Sequence, residues 1–240
     1  MADEPFMNHL FELRTRIIKV VLSLLVAFGA CIYFAKDLYL KLTEPLMAVL
    51  PEDSHFIATH PIEAWVTYLK VGLVAGIFLT SPVFFYQFWR FVSPGLKKKE
   101  LNYLGVFVFF SSFFFIGGAL FGYCIVFPLG FEYFVSILSG TDIHFLPQMK
   151  DAFAFIARML FAFGIIFELP LVVFFLAASG IVSFARLMAF QKYLVVIALL
   201  AAAFLTPPDI ITQVLMSLPM IILYQVGLLG AWLVRKKPSK

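Results

Sequence analysis

The chain has 240 residues, 62% of them hydrophobic and 13% charged, with a formal net charge of +4. Soluble domains average about 45–50% apolar and about 25% charged residues, so this composition excludes a soluble globular domain and describes a polytopic membrane protein. The basic residues sit at the ends of apolar runs, where membrane topology accounts for them without a nucleic-acid partner.

Six apolar helical spans are expected, at 17–35, 64–89, 101–127, 152–178, 187–205 and 210–234, each judged against the roughly 20 residues needed to cross a bilayer. They make an all-α fold in a single membrane domain, 1–240. An amphipathic segment, Met7 to Lys19, leads into the first span, and no small-residue cleavage site follows that span, so the first helix is expected to stay. Two connections, Lys36 to Glu63 and Pro128 to Asp151, are long enough for short helices or caps on the outer surface.

The fourth run carries Glu168, roughly 16 Å along a helix from Ser179 at about 1.5 Å per residue, which places it within the hydrocarbon layer. A carboxylate there costs about 2.5–3.5 kcal/mol on insertion scales, so Glu168 should face a packed interior, a wet cavity or a partner. The plainer alternative is a protonated Glu bonded to a neighbouring helix for packing alone. Pro170 and Gly164 are expected to bend the helix beside it. In the fifth span Lys192 lies near one end, and the sixth contains Gln213 and Gln225, so the fully apolar lengths of both fall short of a bilayer. Between them Thr206, Pro207, Pro208 and Asp209 should form a tight turn, with Asp209 capping the last helix.

Arg14, Arg16 and Lys19, then Arg90 and Lys97 to Lys99, then Arg186 and Lys192, then Arg235 to Lys237 and Lys240 all fall on one side of this layout. The positive-inside rule puts both termini in the cytoplasm. Cys31 and Cys124 fall within spans without Cys-x-x-Cys spacing, so buried free thiols are expected.

Neither Gly-x-Ser-x-Gly, His-Glu-x-x-His nor a Lys-bearing phosphate loop occurs, which argues against an enzyme, an ATP-driven pump or a bound cofactor. His9 and Glu12 share a helix face but are too few for a metal site. Glu12 and Glu100 are acids where bases abound, and each could accept a guanidinium bidentately. Each also has an ordinary explanation: Arg16 lies four residues after Glu12, and Glu100 sits at a helix N-terminus.

The stretch HLFELRTR from His9 to Arg16 and SPVFFYQFWRFVSPGLKKKE from Ser81 to Glu100 resemble the TatC family, the multispanning subunit of the twin-arginine protein translocase. FIGGALFGYCIVFP (Phe115 to Pro128), FAFGIIFELP (Phe161 to Pro170) and TPPDIITQ (Thr206 to Gln213) extend the resemblance over nearly the whole chain. It implies a cup-shaped, six-helix receptor in a bacterial or archaeal cytoplasmic membrane. Such a receptor binds twin-arginine signal peptides of folded cargo, works with single-span TatA and TatB type subunits, and forms homo-oligomers in the working complex. It also implies that Glu12, Glu100 and Phe91 line the signal site, that Glu168 is the family's membrane-embedded acid, and that Pro45, Asp209 and Gln213 act on the far side. Many relatives carry an acid where this chain has Gln225.

With no nucleotide site, export should draw on the membrane gradient. A competing reading is a proton-coupled small-molecule transporter with Glu168 as carrier site, although no convincing internal repeat supports it. A third is a purely structural subunit, which would tolerate substitution at Glu12 and Glu100.

Overall fold

The structure is a computed structural model that describes residues 3–50, 55–92, 104–138, 146–205 and 210–234. Glu100 and Asp209 lie outside the described residues. The chain forms two compact units, Met1–Ser112 with Ile143–Ala157, and Phe113–Asp142 with Arg158–Lys240. Six helices among the described residues are long and apolar enough to cross a membrane, as the apolar runs require.

In the first unit, α1 (Asp3–Tyr33) is one helix of 31 residues, so the amphipathic lead-in and the first span are continuous. Short α2 (Ala35–Met47) occupies the first long connection and contains Pro45, which is half-buried. The second span is α3 (Glu63–Val92). It packs on α1 through Gly72 and Gly76, a small-xxx-small pair that lets helix backbones approach closely. A Cβ at Gly72 would stand 3.2 Å from Ile32 Cα, and one at Gly76 3.2 Å from Phe28 N. The other side of α1 leaves Ile18, Leu22, Leu25 and Val26 exposed, the surface expected of a lipid-facing helix.

The third span, α4 (Leu104–Phe121), passes from the first unit into the second. Its start in the first unit is fixed where the buried Trp89 indole donates to Ser111 Oγ at 2.8 Å. Beyond Phe121 the ladder slips by one residue into a π turn, Gly122–Val126, and resumes as α5 (Phe127–Leu138). The cause is Pro128, which has no N–H to give to the carbonyl four residues back, and Phe127 N–H reaches past the usual partner to Gly122 O. The helical path thus continues past Phe127 to Leu138, and the second long connection begins as a helix, one of the forms expected of it.

The fourth span is broken as the sequence suggests. Helix α6 (Met149–Phe167) stops at Glu168, and α7 (Leu169–Ala178) starts with Pro170 in its first turn. Pro170 cannot donate to the carbonyl of Ile166, and Glu168 N–H turns to Ile165 O at 3.1 Å, a tighter closure than the α-helical one. The bend thus falls on the acid itself.

Helices α8 (Phe184–Leu205) and α9 (Ile210–Val234) have 22 and 25 residues. At about 1.5 Å per residue both reach across a bilayer, so the expected shortness applies to their uninterrupted apolar runs and not to the helices. They pair around Leu187, Leu194, Tyr224 and Leu228, joined by Val173 of α7. The thiols also depart from expectation. Both are free, but Cys31 is only half-buried and Cys124 is exposed.

Candidate functional site

At the N-terminal part of α1 the helical repeat puts His9, Glu12 and Arg16 on one face. Glu12 Oε1 accepts from Arg16 Nε at 3.1 Å and also from Arg16 Nη2. Glu12 Oε2 lies 3.7 Å from His9 Nδ1. The ordinary helix pair expected from the spacing is therefore present. What the spacing did not show is its tie to α3: Arg16 Nη1 donates to Gln87 Oε1 at 3.3 Å.

Phe91, in the last turn of α3, stacks on His9 with ring centroids 4.3 Å apart and planes 17° apart. Glu12 and Phe91, singled out separately by the resemblance, are thus brought together through His9. Below them Leu13, Ile17, Val20, Phe84, Phe88 and Phe91 wall a cavity of about 170 Å³ that also touches Arg16 and Gln87. The result is a half-open carboxylate beside an aromatic stack, with an apolar groove underneath. Such a surface suits a cation carried on an apolar chain. Gln87 was not singled out from the sequence, and His9 only as a metal ligand beside Glu12. The available signal for Gln87 was its position, a lone amide in an aromatic run four residues before Phe91.

The remaining candidates stand elsewhere. Glu168 is half-buried at the α6–α7 bend, with Oε1 shut off from solvent. Gln213 Nε2 donates to Leu199 O at 2.9 Å, so this residue ties α9 to α8. A second tie between the same helices, about three turns away, is Tyr224 Oη donating to Leu187 O at 2.8 Å.

In the first unit, a second polar cluster joins the connection after α2 to the start of α6. Glu63 accepts from Thr59 N at 2.8 Å, Thr59 Oγ1 at 2.7 Å and Lys150 N at 3.2 Å. Ile57 and Gln148 form a parallel bridge beside it. Tyr39 is 3% exposed there, packed edge-on against Phe56 and Tyr68, and its Oη has no hydrogen-bond partner among the described residues. Burial, with Tyr68 and Glu63 nearby, pushes its phenol well above the usual range. No cluster of three His, Cys, Asp or Glu side chains that could hold a metal occurs among the described residues.

Fold and site together define a multi-pass, all-helical membrane protein with a cluster of polar and aromatic side chains where α1 meets the end of α3. The family of the Sec-independent protein translocase protein TatC matches residues 8–219, and the chain belongs to that family. Its members are components of a protein-transport machine and not enzymes. The TatC protein of Desulforapulum autotrophicum is 45% identical over 233 residues, spanning 97% of this chain and 86% of the relative. That of Aquifex aeolicus is 36% identical over 236 residues, 97% of each. A solved structure described as the twin arginine translocase receptor TatC superposes with a TM-score of 0.82 at 34% identity, covering 94% of this chain and 99% of the other. This kinship places the chain in protein transport and sets aside the small-molecule transporter.

Proposed function

We propose that the chain is the receptor subunit of a twin-arginine translocase, working as one membrane domain in a bacterial or archaeal cytoplasmic membrane. Twin-arginine signal peptides of folded cargo bind at its cytoplasmic face, and the bound state nucleates the export complex with single-span TatA and TatB type subunits and further copies of this chain. The observation that carries this reading is the half-open Glu12 carboxylate beside the His9–Phe91 stack, in a chain of the TatC family. Glu12 takes one guanidinium and Glu100 the other. Planar, charge-assisted pairing favours Arg over Lys at such an acid. The positive-inside distribution supports cytoplasmic termini and hence this side for Glu12.

Glu168 serves as a polar anchor for a partner helix or inserted peptide, or changes its protonation in a cycle driven by the membrane gradient. Pro45, Asp209 and Gln213 act on the far side. The test is binding of labelled Arg-Arg and Lys-Lys signal peptides to the full chain in lipid nanodiscs. The Arg-Arg peptide should bind more tightly, and Glu12→Gln and Glu100→Gln should each weaken it. Equal affinity for both peptides, or no effect of either substitution, would overturn the reading.

A further inference from the structure

We propose that Gln87 is a positioning residue that keeps Glu12 available to an incoming guanidinium by holding Arg16 to one side. The inference rests on the peptide-binding reading above and names the residue that sets the state of its acid.

The two oxygens of Glu12 are used unequally. Arg16 donates twice to Oε1, while Oε2 faces His9 at 3.7 Å and the carboxyl-bearing side chain remains 36% exposed. Arg16 is far less open, at 13%, because its side chain runs along the apolar groove walled by Leu13, Ile17, Phe84 and Phe88. A guanidinium always carries its charge, and this one lies in a cleft with little access to water, so its donors must find acceptors close at hand. Among the described residues there are two: Glu12 Oε1 and Gln87 Oε1.

The geometry decides what the amide does. With one terminal nitrogen held by Gln87, the guanidinium fork meets Glu12 at a single oxygen. Without Gln87, the same fork would be free to turn and take both carboxylate oxygens side by side, the arrangement a guanidinium and a carboxylate favour. A ligand arginine would then face an acid already filled from within. A neutral amide suits the task, since it restrains Arg16 without adding a second negative charge that would attract any cation, lysine included.

The consequence is a coupling between positions 87 and 16 that a simple packing role would not show. We expect Gln87→Met, which keeps length and removes the acceptor, to weaken binding of an Arg-Arg peptide by about two- to fivefold, the range of a part-exposed charge contact. The loss should vanish in an Arg16→Ala background, where no internal guanidinium remains to close on Glu12. The experiment is peptide titration of the full chain in nanodiscs for wild type, Gln87→Met, Arg16→Ala and the double variant, with monodispersity and melting checked for each. Gln87→Ala serves as the second acceptor-free variant where Gln87→Met is not recovered folded.

Wild-type affinity in the acceptor-free variants, or the same loss with and without Arg16, overturns the proposal. Glu12→Gln, measured alongside, separates the two levels of argument. If it leaves Arg-Arg peptide affinity unchanged, the peptide site itself is wrong; if it weakens binding while the position-87 variants do not, only the role of Gln87 is wrong.

Discussion

Gly117 and Gly118 are chain neighbours in α4 with opposite surroundings, which makes them a matched test of the packing in the second unit. A Cβ built at Gly118 would lie 2.4 Å from Phe163 O and 2.7 Å from the Cβ of Phe167, whereas one at Gly117 meets nothing within 4 Å. Ordinary contact begins at 3.4 Å, so Gly118→Ala requires α4 and α6 to part by about 1 Å along a line blocked by backbone. Overpacking of this kind costs about 1–3 kcal/mol. Opposing it is the gain in helix propensity of Ala over Gly, about 1 kcal/mol, which applies to both positions. Gly117→Ala should therefore be neutral or stabilising, while Gly118→Ala should be net destabilising by up to about 2 kcal/mol. Thermal unfolding of the purified variants in one detergent, followed by size-exclusion recovery, reads the difference directly. Equal melting of the two variants would refute the close approach of α4 to α6.

Tyr224→Phe removes the hydrogen bond to Leu187 O that ties α9 to α8, and a loss of about 0.6 kcal/mol is expected from interhelical bonds of this kind in membrane proteins, measured by the same melts. Tyr39→Phe removes a buried hydroxyl that has no partner among the described residues, so it should be neutral or stabilising. The Tyr39 phenol is held protonated in the folded chain above its ordinary value of 10.0, so the unfolded chain loses that proton first as pH rises. Stability should consequently fall above about pH 10, and part of that fall should be missing in Tyr39→Phe when melts are compared across pH. Glu63→Ala deprives Thr59 and Lys150 of their acceptor, and hydrogen exchange should quicken at the amides of Ile57, Thr59, Met149 and Lys150. Unchanged exchange there would rule out Glu63 as the tie between those segments.

Much of the architecture was legible because hydropathy alone counts spans, and because Pro170 breaks a helix in a way any sequence shows. The break at Glu168 followed from the missing N–H, and the Glu12–Arg16 pair from four-residue spacing. Ends were less legible. Pro128 reads as a terminator, yet a helix can absorb a proline by passing its hydrogen bonds one residue further along, and the π turn at Gly122–Val126 does so. The cysteines were misplaced for a related reason. Within a span hydropathy is high on every side, so the sequence does not separate an exposed side chain such as Cys124 from an interior one. The contacts that Arg16 and His9 make across helices, to Gln87 and Phe91, were illegible altogether. Gln87 is 71 positions from Arg16, and no periodicity within one helix encodes a meeting between two.

That limit bears on how the two acids differ. Glu12 stands in an intact helix, where its neighbours at three and four positions are set by the helical repeat, so a counter-charge is built in by the fold and any ligand must share or displace it. Glu168 stands where the ladder is interrupted, and Pro170 leaves the carbonyl of Ile166 without its α-helical donor. A carboxyl group next to a loosened carbonyl makes a small polar patch inside an otherwise apolar span, the kind of place where an inserted donor group gains most. On the proposed reading Glu12 shares its carboxylate between Arg16 and an incoming cation, and Glu168 accepts a donor that arrives from another helix. Substitution by Gln should separate them: it removes the charge that Glu12 needs for discrimination between Arg and Lys, but leaves at Glu168 an acceptor able to serve an incoming donor. If export measured in cells fell as far with Glu168→Gln as with Glu168→Ala, charge and not acceptance would be the property that matters at the bend.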